Sequence, residues 1–99
     1  MKMLMVVYSG TNSQRVAMLL DSHHTEGYTE FRNAHGVGDT GRRDGSRAWP
    51  GESTLFVSVV PELQATELVD ALCALRDEMS QQSTGERLHA AVLPADSFF

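Results

Sequence analysis

The sequence predicts an α+β sandwich of the ferredoxin-like type, with a four-stranded antiparallel sheet, two helices on one face and the order β-α-β-β-α-β. Three observations carry that expectation. The apolar run Met3–Tyr8 and the β-branched run Ser53–Val60 read as buried strands. Each is followed by a stretch with apolar residues at helical spacing, and each of those stretches leads into a weaker strand pattern, Tyr28–His35 and Leu88–Leu93. The chain has 99 residues, which makes residues 1–99 a single domain.

In the first strand Met1, Met3, Met5 and Val7 share one face and Leu4, Val6 and Tyr8 the other. The methionine face is expected to be core packing, because methionine fills irregular gaps. Asn12 or Ser13 can cap the first helix, whose apolar face is Val16, Leu19, Leu20 and His23 and whose expected stop is Gly27. Pro61 ends the Ser53–Val60 strand and suits a helix start, since its missing N–H is an orphan there. Leu68, Leu72, Leu75 and Met79 then form the stripe of the second helix, flanked by Val69 and Cys73. Glu67, Asp70, Arg76, Asp77 and Glu78 read as its solvated face, Thr84-Gly85 breaks it, and Pro94 closes the final strand.

Composition excludes several classes of function. With 41% hydrophobic and 21% charged residues the chain is too apolar for disorder. A net charge of −5 argues against nucleic acid, whose binders carry a basic face. No apolar run approaches the roughly 20 residues that span a bilayer, so no membrane insertion is expected. Met1-Lys2 and the run behind it are too short for a leader peptide. The single cysteine, Cys73, allows no internal disulfide, reads as a packed thiol and fits a reducing cytoplasm.

The segment from Gly36 to Glu52 is far longer than a hairpin loop needs, and loops of that length are usually functional or disordered. It holds five of the eight glycines and three of the eight basic residues, Arg42, Arg43 and Arg47. Glycine lets backbone N–H groups approach an anion, and the guanidinium fork suits phosphate or carboxylate. The segment therefore reads as an anion-contacting or partner-docking loop, against the plainer reading of a solvated loop whose arginines pair with Asp39, Asp44 and Glu52. Gly36-Val37-Gly38-Asp39-Thr40-Gly41 matches the spacing G-x-G-x-x-G, but no helix follows it, so the dinucleotide fingerprint is rejected. Trp49-Pro50-Gly51 reads as a tight turn that anchors the loop base.

His23, His24, His35 and His89 raise a metal reading, yet adjacent histidines on a helix diverge by about 100° and no zinc-type spacing occurs. Nothing in the sequence resembles a nucleophile–base–acid set, so no enzyme is expected. RNA binding on this fold would need an aromatic stacking motif that the third strand lacks, and an acylphosphatase-like site would need a phosphate loop beside the first strand.

Gly27-Tyr28-Thr29, Gly36-Val37-Gly38, Trp49-Pro50-Gly51-Glu52, Thr84-Gly85 and Ala91-Val92-Leu93-Pro94, in this order on this fold, resemble the PII signalling proteins and more closely their small PII-like relatives. The resemblance covers nearly the whole chain. It implies a homotrimer with small-molecule sites in clefts between subunits, and makes residues 36–52 the flexible T-loop that reports ligand occupancy to a target, commonly a membrane transporter. It implies an adenine nucleotide (AMP, ADP, ATP or cyclic AMP) as effector and no obligatory cofactor. Gly36 and Gly38, with Val37 between them, resemble the loop-base glycines at the nucleotide cleft, and Thr84 and Gly85 the start of the B-loop.

The departures from that pattern are specific. Asp39-Thr40 stands where the family has Arg-Gln, which removes the glutamine that serves magnesium and 2-oxoglutarate. The B-loop's later Gly-Asp-Gly-Lys and the arginine-bearing C-terminal arm have no counterpart, and no tyrosine lies between Gly36 and Glu52 to be uridylylated. Arg87, with Arg42, Arg43 and Arg47, is the expected replacement charge, which favours AMP, ADP, a cyclic nucleotide or a small anion such as bicarbonate. The leading expectation is a non-enzymatic, cytoplasmic regulator without a metal site. The alternative is a metal-responsive trimer of the PII-like or CutA type, supported only by the histidines.

Overall fold

The computed structural model describes residues 1–23, 27–38, 41–43, 52–82 and 85–99, with the side chains of 36–38, 41–43 and 52 left aside. The elements are β1 (Lys2–Gly10), α1 (Gln14–Ser22), β2 (Thr29–Ala34), β3 (Gly36–Gly38), β4 (Gly41–Arg43), β5 (Glu52–Val60), α2 (Glu62–Gln82) and β6 (Arg87–Pro94). Four strands form one sheet in the order β2-β5-β1-β6, with every neighbouring pair antiparallel. This is the expected ferredoxin-like α+β arrangement.

The period of two along β1 decides which face is covered. Leu4, Val6 and Tyr8 are buried, and they pair with Ser58, Phe56 and Thr54 of β5. Val16 and Leu20 of α1 and Ala65, Leu68, Leu72 and Met79 of α2 pack into the same core, so both helices lie on that face. Each fully buried Val, Leu, Phe or Met side chain here contributes about 1.5–3 kcal/mol. Ser58 is buried there too, and its hydroxyl donates to the Gly27 carbonyl at 2.7 Å. Among the described residues no buried side-chain polar atom lacks a partner.

The opposite face corrects the expectation for the methionines. Met1 and Val7 are exposed and Met3 and Met5 only half-buried, because both helices occupy the other side and, among the described residues, no second layer covers this one. Leu55, Val57 and Phe31 continue the same apolar face, Phe31 being 52% exposed. Cys73 is also exposed rather than packed. It sits about 100° around the helix from Leu72, which turns it out of the stripe.

Helix α1 ends at Ser22 instead of running to Gly27. The Ser22 hydroxyl donates to the Leu19 carbonyl at 2.8 Å, and His23 Nδ1 lies 3.0 Å from the same oxygen. The Leu19 carbonyl, which also accepts from the His23 N–H at 3.2 Å, thus gathers three contacts at the end of the helix. At its start Ser13 makes no side-chain cap; its carbonyl accepts from the N–H groups of Val16 and Ala17.

β2 carries a bulge. Phe31 pairs with Leu55 but Ala34 with Ser53, so β2 spends one extra residue, and Asn33 takes φ 58° within it. Asparagine tolerates that left-handed backbone better than most residues. The long segment that follows is not uniformly a loop. β3 and β4 pair antiparallel as a short ribbon, Gly36 with Arg43, Val37 with Arg42 and Gly38 with Gly41. Small glycines at both ends of the ribbon hide its strand character in the sequence. Trp49 and the turn expected there lie outside the described residues.

Candidate functional site

The ends of four strands meet at one side of the sheet. Ser9 of β1 pairs with Ser53 of β5 and with Arg87 of β6, and Ser53 pairs in turn with Ala34 of β2. The glycine-rich segment therefore starts, and the turn after α2 ends, at the same end of the sheet. They lie on opposite edges. Three strand spacings, about 14 Å, separate the β2 and β6 columns. Gly36, Val37, Gly38, Arg42 and Arg43 belong to the β3–β4 ribbon on one edge, Gly85 and Arg87 to the other, and Arg47 and Thr84 lie outside the described residues.

At the β6 edge a cavity of about 360 Å³ opens between the last turns of α2 and the first residues of β6. Arg76, Met79 and Ser80 line it from the helix, and Gly85, Arg87 and His89 from the other wall. Gly85 holds φ at 77°, a left-handed turn in which a Cβ is disfavoured, so the chain reverses here without a side chain. Neither Arg76 nor Arg87 forms an ion pair with a described residue. Arg76 comes to this cavity from the helix side, while the register puts Arg87 and His89 on the open face with Ser9 and Val7. The cavity's rim thus carries two arginines, whose guanidinium groups suit phosphate or carboxylate oxygens, together with Glu86.

Sequence reasoning does not assign Arg76 and His89 to an anion site. Arg76 reads there as part of a solvated helical face; its position four residues after buried Leu72 and three before buried Met79 is the available signal. His89 suggests only a metal ligand. Among the described residues no group of three His, Cys, Asp or Glu side chains gathers; His24 and Glu26 lie outside them.

Glu86 also lines this cavity, and its carboxylate is turned toward Tyr8 and Arg15. The Tyr8 hydroxyl donates to Glu86 Oε2 at 2.5 Å and accepts from the Asn12 N–H at 2.9 Å. Arg15 Nη1 lies 3.3 Å from Glu86 Oε1. Burial, then the hydrogen bond to the Glu86 carboxylate, pushes the Tyr8 phenol up to about 12.

The fold and this site define an antiparallel α+β protein with an arginine-bearing cavity beside one edge strand. More particularly, its fold is that of the PII-like proteins. It resembles CPII of Thiomonas intermedia K12 bound to ADP, AMP and bicarbonate, at 18% identity and a TM-score of 0.65 over 97% of this chain and 88% of that one. The ADP- and bicarbonate-bound form of the same protein matches at 19% identity and TM-score 0.65, over 97% and 88%. A Thermus thermophilus protein described as PII-like signalling matches at 17% identity and TM-score 0.60, over 93% and 85%. No family model and no curated protein matches the sequence.

Proposed function

We propose that this protein is a non-enzymatic regulator of the PII-like kind, which binds an adenine nucleotide or a small anion such as bicarbonate and signals through residues 36–52. The observation that carries the reading is the cavity at the α2–β6 turn, lined by Arg76, Arg87 and His89 and by the left-handed Gly85. The fold's likeness to a protein solved with ADP, AMP and bicarbonate supports that choice of ligand. In this reading the arginines receive phosphate or carboxylate oxygens, and the N–H groups of the turn around Gly85 assist them. Arg42 and Arg43, on the ribbon at the other edge of the sheet, supply further charge in this reading, joined by Arg47, which lies outside the described residues.

A homotrimer is part of the same proposal. Soluble monomers rarely leave a contiguous apolar face uncovered, and Met3, Met5, Val7, Leu55, Val57 and Phe31 form such a face on the open side of this sheet. Association would also allow a loop edge of one subunit to approach a β6 edge of another, which shortens the separation that exists within one chain. Regulation of a partner, such as a membrane transporter, would then follow from ligand-dependent placement of the loop. No helix of the described residues is long and apolar enough to cross a membrane, and in this reading the protein acts from the cytoplasm.

Titration calorimetry with ADP, AMP, ATP, cyclic AMP and bicarbonate, followed by zinc and copper, tests the proposal. Binding of one of the anions with sub-millimolar affinity is expected. Micromolar binding of a divalent metal with no response to any of the anions would replace it with the metal-responsive alternative.

A further inference from the structure

We propose that Tyr8 and Arg15 are positioning residues that hold the Glu86 carboxylate to one side, paired with themselves, so that the turn presents Gly85 and Arg87 to an anion without a competing unpaired negative charge. The inference rests on the anion-binding reading given above. Glu86 stands directly between the two residues expected to meet the ligand, and it lines the same cavity. A free carboxylate at that position would oppose an anion's approach through like-charge repulsion and would neutralise Arg87.

The geometry prevents this in three ways. The first is the direction of the phenol proton: the Asn12 N–H occupies one side of the Tyr8 oxygen, leaving its O–H to point at Glu86 Oε2. The second is Arg15, which reaches from the start of α1 to Glu86, to Gln82 Oε1 at 3.4 Å and to Glu78 Oε1 at 3.4 Å. It therefore fastens the last turn of α2 to the residue before β6. The third is space. A Cβ at Gly10 would lie 2.5 Å from the Tyr8 oxygen and 3.1 Å from Glu86 Cγ, so only glycine leaves room for the two side chains to meet. Tyr8 is wholly buried and a phenylalanine would fill the same volume, so the hydroxyl serves Glu86 rather than core packing.

The test uses the full chain and the variants Tyr8→Phe, Arg15→Met, Glu86→Gln and Tyr8→Phe with Glu86→Gln, with ADP as probe. Amide hydrogen exchange across residues 85–88 in the ligand-free protein should rise at least about threefold in Tyr8→Phe and in Arg15→Met. ADP affinity should fall about tenfold in Tyr8→Phe, the loss of one hydrogen bond to a charged group. It should recover to within about threefold of the unmodified protein when Glu86→Gln is added, because the released side chain then carries no charge. A purely structural role for Tyr8 would not give that recovery. Unchanged exchange in both single variants, or a double variant that binds ADP as poorly as Tyr8→Phe, would overturn the proposal. If the unmodified protein binds no ADP, the nucleotide reading fails by itself, and the exchange measurement still decides whether the clamp exists.

Discussion

Ser9 and Ser53 face each other across the β1–β5 ladder with their hydroxyl oxygens 2.9 Å apart, and both are buried. They form the last side-chain pair before the sheet opens into the glycine-rich segment, in register with Arg87. Replacing one serine by alanine leaves the other hydroxyl buried without this partner, at a cost of about 1–3 kcal/mol. Replacing both should cost clearly less than the sum of the single changes. Urea denaturation of the four proteins measures this; strict additivity would show that the pair is not coupled.

Tyr8 gives a pH dependence with a defined sign. A phenol raised from 10.0 to about 12 binds its proton more tightly in the folded state than in the unfolded one. The associated stability is fully present below pH 10 and is lost as pH rises toward 12. Stability measured by denaturant titration should therefore fall more steeply over that range in the unmodified protein than in Tyr8→Phe. The difference between the two isolates Tyr8, because Tyr28, whose phenol is also raised, is common to both.

Gly10→Ala should destabilise the protein by about 1–3 kcal/mol through overpacking, since its new methyl group would meet the Tyr8 oxygen and ring. Thermal unfolding checks the size. Adding Tyr8→Phe should relieve part of the loss, because the atom in nearest conflict is then gone.

Much of the fold is legible because the strands and α2 bury residues at a single period. Leu4, Val6 and Tyr8 alternate, and Leu68, Leu72 and Met79 keep helical spacing, so local pattern and tertiary burial agree. The disagreements arise where a neighbour decides. The methionine face of β1 is as apolar as a core, and only the placement of both helices on the other side leaves it open. Cys73 departs from expectation by one helical position. Helix α1 ends where Ser22 and His23 reach back to the Leu19 carbonyl, contacts that no propensity encodes. Gly85 and Arg87 are legible as site candidates because Thr84-Gly85 resembles the start of the family's B-loop and Arg87 follows it. Arg76, Tyr8 and Arg15 are not, because they reach that turn through space from two helices and the central strand.

Met5 lies near the centre of the open sheet face, paired with Val57 on one side and Ala91 on the other. Met5→Asp should convert the proposed trimer to monomer, because a charge buried in an apolar interface without a partner is strongly unfavourable. Sedimentation equilibrium of both proteins reads the outcome. A monomeric unmodified protein, or a variant with unchanged mass, would remove this face from the assembly.

The central claim is that the cavity between α2 and β6 binds an anion through Arg76 and Arg87. Calorimetric titration of ADP, AMP and bicarbonate into the unmodified protein and into Arg76→Ala/Arg87→Ala tests it most directly. Binding of at least one of the three, weakened by about 10- to 100-fold in the double variant, is the predicted result, given the strength of charge-assisted hydrogen bonds. Equal affinity in the two proteins, or no binding by the unmodified one, would contradict it.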